Sequence, residues 1–505
     1  MDTLKTDAEG DEPGAPVSLM APVAAPGVPR RSGAPPKFVT GSLLAHIIEM
    51  TGAGALGLMA IFAGDLANLV FLSWLKDESV VAAVGYGSSI LFLTVSIGIG
   101  LAIAATSLVS PAIGAGQRVK ARRLSTHAHL ATLAISLVLS FFVWLLIPQA
   151  LEMLGAKGRT FDLASRYLTI LIPSLAPLAL GMAASGVLRS VGDARRAMNI
   201  TLAGAVVNLI LDPFLIFDQI TIGPLPWLGI DASFVIPCAG LGLSGAAIST
   251  VIARFCVMAV GLYGVIHVHD LMGRPRPKML RQDWALLSAV AVPAILTNVA
   301  TPFSNAVVTS VISGHGDSAV AGWTIIGRIL PVAFGAIYAL SGSIGPILGQ
   351  NYGARHFDRV REAFTLALKV TAAFTLAAWI VLALIAGWLA GTLHATGEAA
   401  EIIAFYCRVL APLFVFMGAL FIANAAFNTL GRPVMSTLLN WGRATLGTVP
   451  FAIAGGSLGG AGGVLAGHMV GGIAFGLLGV FLGYRLIDEL AAKAADAAPP
   501  APAVK

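Results

Sequence analysis

Charge is what this 505-residue chain has least of: Asp, Glu, Lys and Arg together supply 11% of its residues, against about 25% in ordinary soluble domains. With 57% hydrophobic residues, a soluble globular protein of this length is excluded. Cysteine is scarce as well. Cys238, Cys256 and Cys407 are scattered, odd in number and form no CxxC, which excludes a disulfide frame and a cysteine-held metal. No GxxxxGK[ST] run and no soluble nucleotide-binding segment occur, so the chain is not expected to hydrolyse ATP. Nor does a basic stretch lead into an apolar core at the start. Residues 1–42, rich in Pro, Ala and Gly, read instead as a disordered cytoplasmic tail, and residues 488–505 read likewise.

What the chain does have is a succession of apolar runs near twenty residues, the length at which a helix crosses a bilayer. Twelve are predicted, at 43–74, 80–108, 128–152, 164–188, 196–217, 240–266, 284–313, 318–346, 364–390, 400–428, 433–456 and 460–487. The expected fold is an all-α integral membrane protein. Its net charge of +6 is no nucleic-acid signature, because the basic residues sit in alternate loops. Arg118, Lys120, Arg122 and Arg123 follow the second span, Arg189, Arg195 and Arg196 the fourth, and Arg274, Arg276, Lys278 and Arg281 the sixth. Intervening loops carry Asp218, Asp231 and Asp317 instead. Loops rich in Lys and Arg stay in the cytoplasm. Both termini are therefore expected inside, in a bacterial cytoplasmic (inner) membrane.

Ser79–Leu91 matches Ser318–Leu330 at a shift of 239 residues, and Gly192 corresponds to Gly431 at the same shift. Pro111-Ala-Ile-Gly114 matches Pro346-Ile-Leu-Gly349 near 235. Ordered matches at nearly one spacing point to an internal repeat. Six spans per half give both halves one orientation. The expected domains are an N-terminal lobe at 43–267, a basic cytoplasmic connector at 268–283 and a C-terminal lobe at 284–487. A pseudo-twofold axis along the membrane normal relates the two lobes.

One acid breaks the apolar pattern where it costs most. Asp212 lies within the run Val206–Phe217. A carboxylate at bilayer depth costs roughly 2.5–3.5 kcal/mol on insertion scales, and chains keep one where it faces a cavity, a partner or an ion path. Asn208, four residues earlier, shares its helix face. Pro213 lacks an N–H and frees the carbonyl of Leu209. Together these oxygens suit a proton or a small hard cation. Arg328, in the eighth span, either lines a central cavity or snorkels. His468, in the twelfth, reads as a packed polar residue.

Several motifs carry a family resemblance. They are Gly186-Val-Leu-Arg189-Ser190-Val-Gly192-Asp193, Asn208-Leu-Ile-Leu-Asp212, the stretch Gly240–Thr250, Gly345-Pro346-Ile-Leu-Gly349-Gln350, and Asn428-Thr-Leu-Gly431-Arg432-Pro433. In order, from about residue 43 to 487, they resemble the multidrug and toxic compound extrusion (MATE) family of transporters. The resemblance implies two six-helix lobes and export of drugs or metabolites by antiport with sodium ions or protons. No acid lies deep in the second half, which looks like the DinF-type arrangement and implies coupling in the first lobe. Carried over residue by residue, that site is Asn208, Asp212 and Thr250, a set that also suits a sodium ion. The family's acid on the first span is replaced here by Asn68. Asp65, three residues earlier on the same face, is expected to stand in for it as the second acid. At 1.5 Å per residue, Asp65, Asp212 and Thr250 fall in one layer.

The expected activity is cation-coupled efflux of small organic molecules by alternating access, in a monomer. No cofactor besides the coupling H+ or Na+ and no nucleic-acid partner are expected. One charge crossing 100 mV supplies about 2.3 kcal/mol. At about 1.4 kcal/mol per decade, that supports a substrate gradient somewhat under a hundredfold. The alternative is a flippase for lipid-linked precursors, which favours a cationic cavity; only Arg328 offers itself for that. An intramembrane enzyme needs a convergent His, Ser or metal cluster at depth, and the sequence places none there.

Overall fold

The computed structural model describes residues 36–222, 234–393 and 395–496. The first half runs α1 (Leu43–Ser73), α2 (Glu78–Gly114), α3 (Arg118–Leu145), a short α4 (Ile147–Met153), α5 (Gly158–Leu171), α6 (Leu175–Ser190), α7 (Ala194–Ile216) and α8 (Leu243–Tyr263). The second runs α9 (Pro277–Ser313), α10 (Asp317–Ala333), α11 (Gly335–Gly353), α12 (Phe357–Thr392), α13 (Glu398–Phe405), α14 (Phe414–Thr429), α15 (Pro433–Ala444) and α16 (Val449–Asp496). Ten helical runs among the described residues are long and apolar enough to cross a membrane, or eleven if α10 and α11, bent by 50° at Phe334, make one span.

The last run is bent as well. Gly459 and Gly460 leave helical geometry within α16, Gly460 at φ +59° and ψ −150°. The chain then doubles back. A Cβ on Gly455 would overlap the Gly463 carbonyl, one on Gly467 the Phe451 carbonyl, and one on Gly471 the Gly447 carbonyl. Bare backbones pack closely where no side chain holds the helices apart. This break coincides with the boundary predicted between 433–456 and 460–487. One departure from all-helical structure occurs after α7, where β1 (Gln219–Ile222) pairs antiparallel with β2 (Phe234–Pro237), Gln219 opposite Pro237. Both strands are rich in β-branched residues, which suit a pleated ribbon. Asp231, expected outside the membrane, falls beyond the described residues.

The repeat is written in the backbone. Left-handed φ recurs at Gly116 (+70°) and Arg355 (+61°), at Gly158 and Gly397 (both +56°), and at Gly192 (+86°) and Gly431 (+87°). Each pair is 239 residues apart. The expected match of Pro111–Gly114 to Pro346–Gly349 is corrected by packing. A Cβ on Gly114 would overlap the Gln350 carbonyl, and one on Gly353 would overlap the Pro111 carbonyl. That reciprocal contact pairs Gly114 with Gly353 at the common shift of 239. The two helix ends touch backbone to backbone, so the crossing sets the register and the shared proline does not. Around this contact α2 of the first lobe packs on α9 and α11 of the second, and α1 packs on α11.

Two edges differ from expectation. The assigned tail of residues 1–42 includes Lys37–Val39, a single helical turn. Phe38 there is fully buried in a core with Ile47, Ile344 and Phe427. Its N–H donates to Gln350 Oε1 at 2.9 Å, and Asn351 Nδ2 donates to its carbonyl at 3.1 Å. Beside it Lys37 Nζ donates to Glu49 at 2.9 Å and to the Gly192 carbonyl at 3.1 Å, so an aromatic and a cation together anchor this Pro- and Ala-rich stretch. Residues 1–35 lie outside the described structure. At the other end α16 continues through residues 488–496, where Arg361 and Arg432 reach Asp488 and Glu489; residues 497–505 lie outside the description.

The connector is docked on the first lobe. Gly273 N–H donates to Thr126 Oγ1 at 3.0 Å and Arg122 Nε to the Met272 carbonyl at 3.0 Å. Asp283, at the start of α9 and 2% exposed, meets His127 Nδ1 at 2.6 Å and accepts from an Arg123 guanidinium nitrogen at 3.2 Å. Sequence reasoning passed over this buried acid, because it sits among basic loop residues.

Candidate functional site

α1, α7 and α8 pack together in the first lobe, and Asp212 lies where they meet. The crossing of α7 and α8 is close: a Cβ on Gly245 would overlap the Leu215 carbonyl. Asp212 is 1% exposed. Its Oδ2 accepts from Asn68 Nδ2 at 2.8 Å, and its Oδ1 accepts from the Ser249 hydroxyl in a close contact. Ser249, fully buried, also lies 3.3 Å from Asn208 Oδ1 and 3.2 Å from the Ala246 carbonyl. One carboxylate is thus held by an amide and a hydroxyl, with a second acceptor behind the hydroxyl.

Three of the expected residues, Asp212, Asn208 and Asn68, are brought together. Thr250 is not. Its hydroxyl donates to the Ala246 carbonyl of its own helix at 2.9 Å, a common fate for a helical threonine. Ser249, one position earlier and rotated by about 100°, takes the place expected for Thr250. The sequence signal for it was present in the Ile248-Ser249-Thr250 triplet; only the helix rotation separates the two hydroxyls. Asp65 is exposed and has no hydrogen bond to the Asp212 group. It and Asp212 both lie within electrostatic reach of Tyr167. Arg254 turns away, donating to the Leu171 carbonyl at 3.2 Å and to Ser174 Oγ at 2.9 Å. Arg328, on α10, is exposed.

The arrangement accommodates two states of one group. As a carboxylate, Asp212 accepts from Asn68 and Ser249. As an acid, its Oδ1–H donates to Ser249, whose single hydroxyl proton then turns to Asn208 Oδ1 or the Ala246 carbonyl. No other group has to move.

Comparison with known proteins follows the same line. The family profile described as MatE matches residues 55–214 and 293–454, once in each half of the chain. A "FAD transporter" of Shewanella oneidensis is 29% identical over 452 residues, covering 89% of this chain and 96% of that protein. "Multidrug export protein MepA" of Staphylococcus aureus is 21% identical over 382 residues, covering 76% and 80%. Among solved structures, the Vibrio cholerae MATE transporter VcmN in the bent form superposes with a TM-score of 0.80 at 23% identity, over 89% of this chain and 98% of that one. A transporter from Pyrococcus furiosus superposes at 0.79 and 21% identity, over 91% and 99%.

Proposed function

The chain belongs to the MATE family of multi-pass membrane transporters, and from that premise we propose that it is an antiporter in which Asp212 carries the coupling cation. The observation that carries this reading is the carboxylate at membrane depth held by Asn68 and Ser249, with Asn208 behind it. A proton is the cation that suits the site best. Both Asp212 oxygens already have donors, and the Ser249 hydroxyl can reverse direction when Asp212 is protonated. A sodium ion would have to displace the Asn68 amide hydrogens from Oδ2 and gather Asp212, Asn208 and Ser249 oxygens around it. Asp65, open and unbonded, is the second acid through which a proton reaches or leaves the site.

The inner gate is the contact of α2 with α11 at Gly114 and Gly353, on the side where the basic loops lie. By the bias of Lys and Arg that side is the cytoplasm, and both termini belong there. With this end closed, access to the space between the lobes would be from outside. Protonation from outside and release inside would alternate with parting of the Gly114–Gly353 contact. The substrates are small organic molecules, as the names of its relatives suggest.

The test uses purified protein in vesicles loaded with a fluorescent dye, cationic in one set and anionic in another, driven in turn by a pH gradient and by a sodium gradient. Dye movement driven by pH, and lost in Asp212→Asn, is the expected result. Sodium alone driving the wild type would overturn the proton assignment, and unchanged rates in Asp212→Asn would overturn the site. Single cysteines beside Arg276 and Asp317 check orientation: an impermeant reagent should reach only the second from outside.

A further inference from the structure

The second lobe carries a different chemistry at the positions that match Asp65, Asn208 and Thr250 of the first. Ser304 on α9 stands 239 residues after Asp65. Thr448, just ahead of α16, stands 240 after Asn208. Gly242 and Gly460, alike in backbone angles (φ/ψ +54°/−130° and +59°/−150°), set Thr250 of α8 opposite His468 of α16. These counterparts form a chain of their own. Ser304 Oγ lies 3.2 Å from Thr448 Oγ1, which lies 3.3 Å from His468 Nδ1. Among the described residues no carboxylate joins it.

A cation does. Arg443, five residues before Thr448, is 1% exposed. Among the described residues its Nε has no hydrogen-bond partner, and its one side-chain hydrogen bond is a long one, 3.5 Å from Nη2 to Thr301 Oγ1. Tyr338 on α11 and His468 lie within reach of its charge. Among the described residues no Asp or Glu bridges to it. Arg254, buried in the first lobe, satisfies itself on Leu171 and Ser174; Arg443, like the less deeply set Arg189 Nε of the first lobe, does not. A buried charge without a partner is strongly unfavourable, so the fold keeps this one at a standing cost.

We infer that Arg443 is the anion-recognising residue of the second lobe, receiving a phosphate or carboxylate of the transported molecule. The guanidinium matches either group with two parallel N–H···O bonds, and the Thr301 hydroxyl, 3.5 Å from it, is a further donor. Tyr338 is 37% exposed, and the ligand's approach to Arg443 is placed on the side of that ring. This rests on the exporter reading and narrows it: the substrates are organic anions, met by a cation in one lobe while the other lobe carries the coupling acid.

The experiment measures equilibrium binding of flavin adenine dinucleotide, ADP and riboflavin to the full chain in lipid nanodiscs. The wild type should bind the two phosphate-bearing probes at least about tenfold more tightly than neutral riboflavin. Arg443→Gln should erase that preference, and Arg443→Lys should keep only part of it, because an ammonium lacks the fork. Thr301→Val should weaken it severalfold and serves if Arg443→Gln fails to fold. Equal or absent binding of ADP and riboflavin by the wild type overturns the inference, as does a preference that survives Arg443→Gln or, failing that variant, both other substitutions. Cation-driven dye movement by wild-type vesicles is read in parallel. Its absence sinks the exporter reading; dye movement with an intact anion preference in Arg443→Gln sinks only this inference.

Discussion

In the first lobe α7 and α8 cross with Asp212 between them; in the second, α15 and the two arms of α16 meet at the matching place around Arg443 and His468. The backbones are alike to the level of single left-handed residues: 116 and 355, 158 and 397, 192 and 431. The close crossings are alike too, Gly245 against Leu215 in one lobe and Gly463 against Gly455 in the other. What differs is charge. The scaffold constrains only where helices approach, and that is a matter of small residues. Positions facing the polar interior are free to diverge, so one lobe holds an acid and the other a cation.

The comparison breaks most sharply on the acid. Asp212→Asn should reduce gradient-driven efflux by at least about a hundredfold, since only a titratable group carries the proton, while His468→Gln should leave it within about threefold. Vesicle flux assays decide, and equal losses would mean that the lobes share the coupling.

The inner gate comes next, where the lobes should behave identically. Gly114→Ala and Gly353→Ala each add a methyl into a facing carbonyl. Overpacking of this kind costs about 1–3 kcal/mol, so each should shift the closed population by roughly 5- to 150-fold. Labelling of a cysteine just inside the gate would report it. Markedly unequal effects would show that the twofold relation fails there.

Smaller effects separate neighbouring hydroxyls. Ser249→Ala removes a donor to Asp212 and should slow efflux by about tenfold, in line with the lower end, about 1.5 kcal/mol, of what a hydrogen bond to a charged group contributes. Thr250→Val removes only a bond within its own helix and should stay within about twofold. The reverse order would restore Thr250 to the site.

The smallest effect concerns the loops at 193 and 432. Asp193 caps α7, accepting from Arg196 N–H at 3.1 Å, and also meets His269. Burial works to raise its carboxyl, but the His269 and Arg196 hydrogen bonds outweigh that and hold it below the usual carboxylate range. A folded-state value below the unfolded one stabilises above about pH 4, and the gain is lost as pH falls through the folded value. Asp193→Ala should cost about 1 kcal/mol at neutral pH, a deficit that shrinks in acid. Arg432, its counterpart, makes an exposed pair with Glu489, and Arg432→Ala should cost under about 0.5 kcal/mol. Thermal unfolding across pH reads both.

Much of this was legible beforehand. The spans, the paired halves, Asp212 and its neighbour Asn208 all follow from rules that act locally. A carboxylate in an apolar run is conspicuous because nothing nearby resembles it. Arg443 escaped notice for the converse reason: it lies in Asn440-Trp441-Gly442-Arg443, where the run is already broken and a basic residue looks interfacial. Asp283 was hidden in the same way among the arginines and lysines of its connector. Phe38 was lost in a Pro-rich stretch whose composition argued for disorder.

Transfer energies are summed residue by residue along the chain, so composition and periodicity alone determined that this protein crosses a membrane as a bundle of helices in two related halves. Which side chains meet was decided only in three dimensions. Ser249 and Thr250 are adjacent and chemically alike, yet they point about 100° apart. The crossing of α8 over α7 at Gly245 and Leu215 turns one toward Asp212 and leaves the other to its own helix. Likewise the absence of an acidic partner for Arg443 among the described residues could be known only from the tertiary structure, because a missing contact is a property of the packed fold and has no signature in any segment of it.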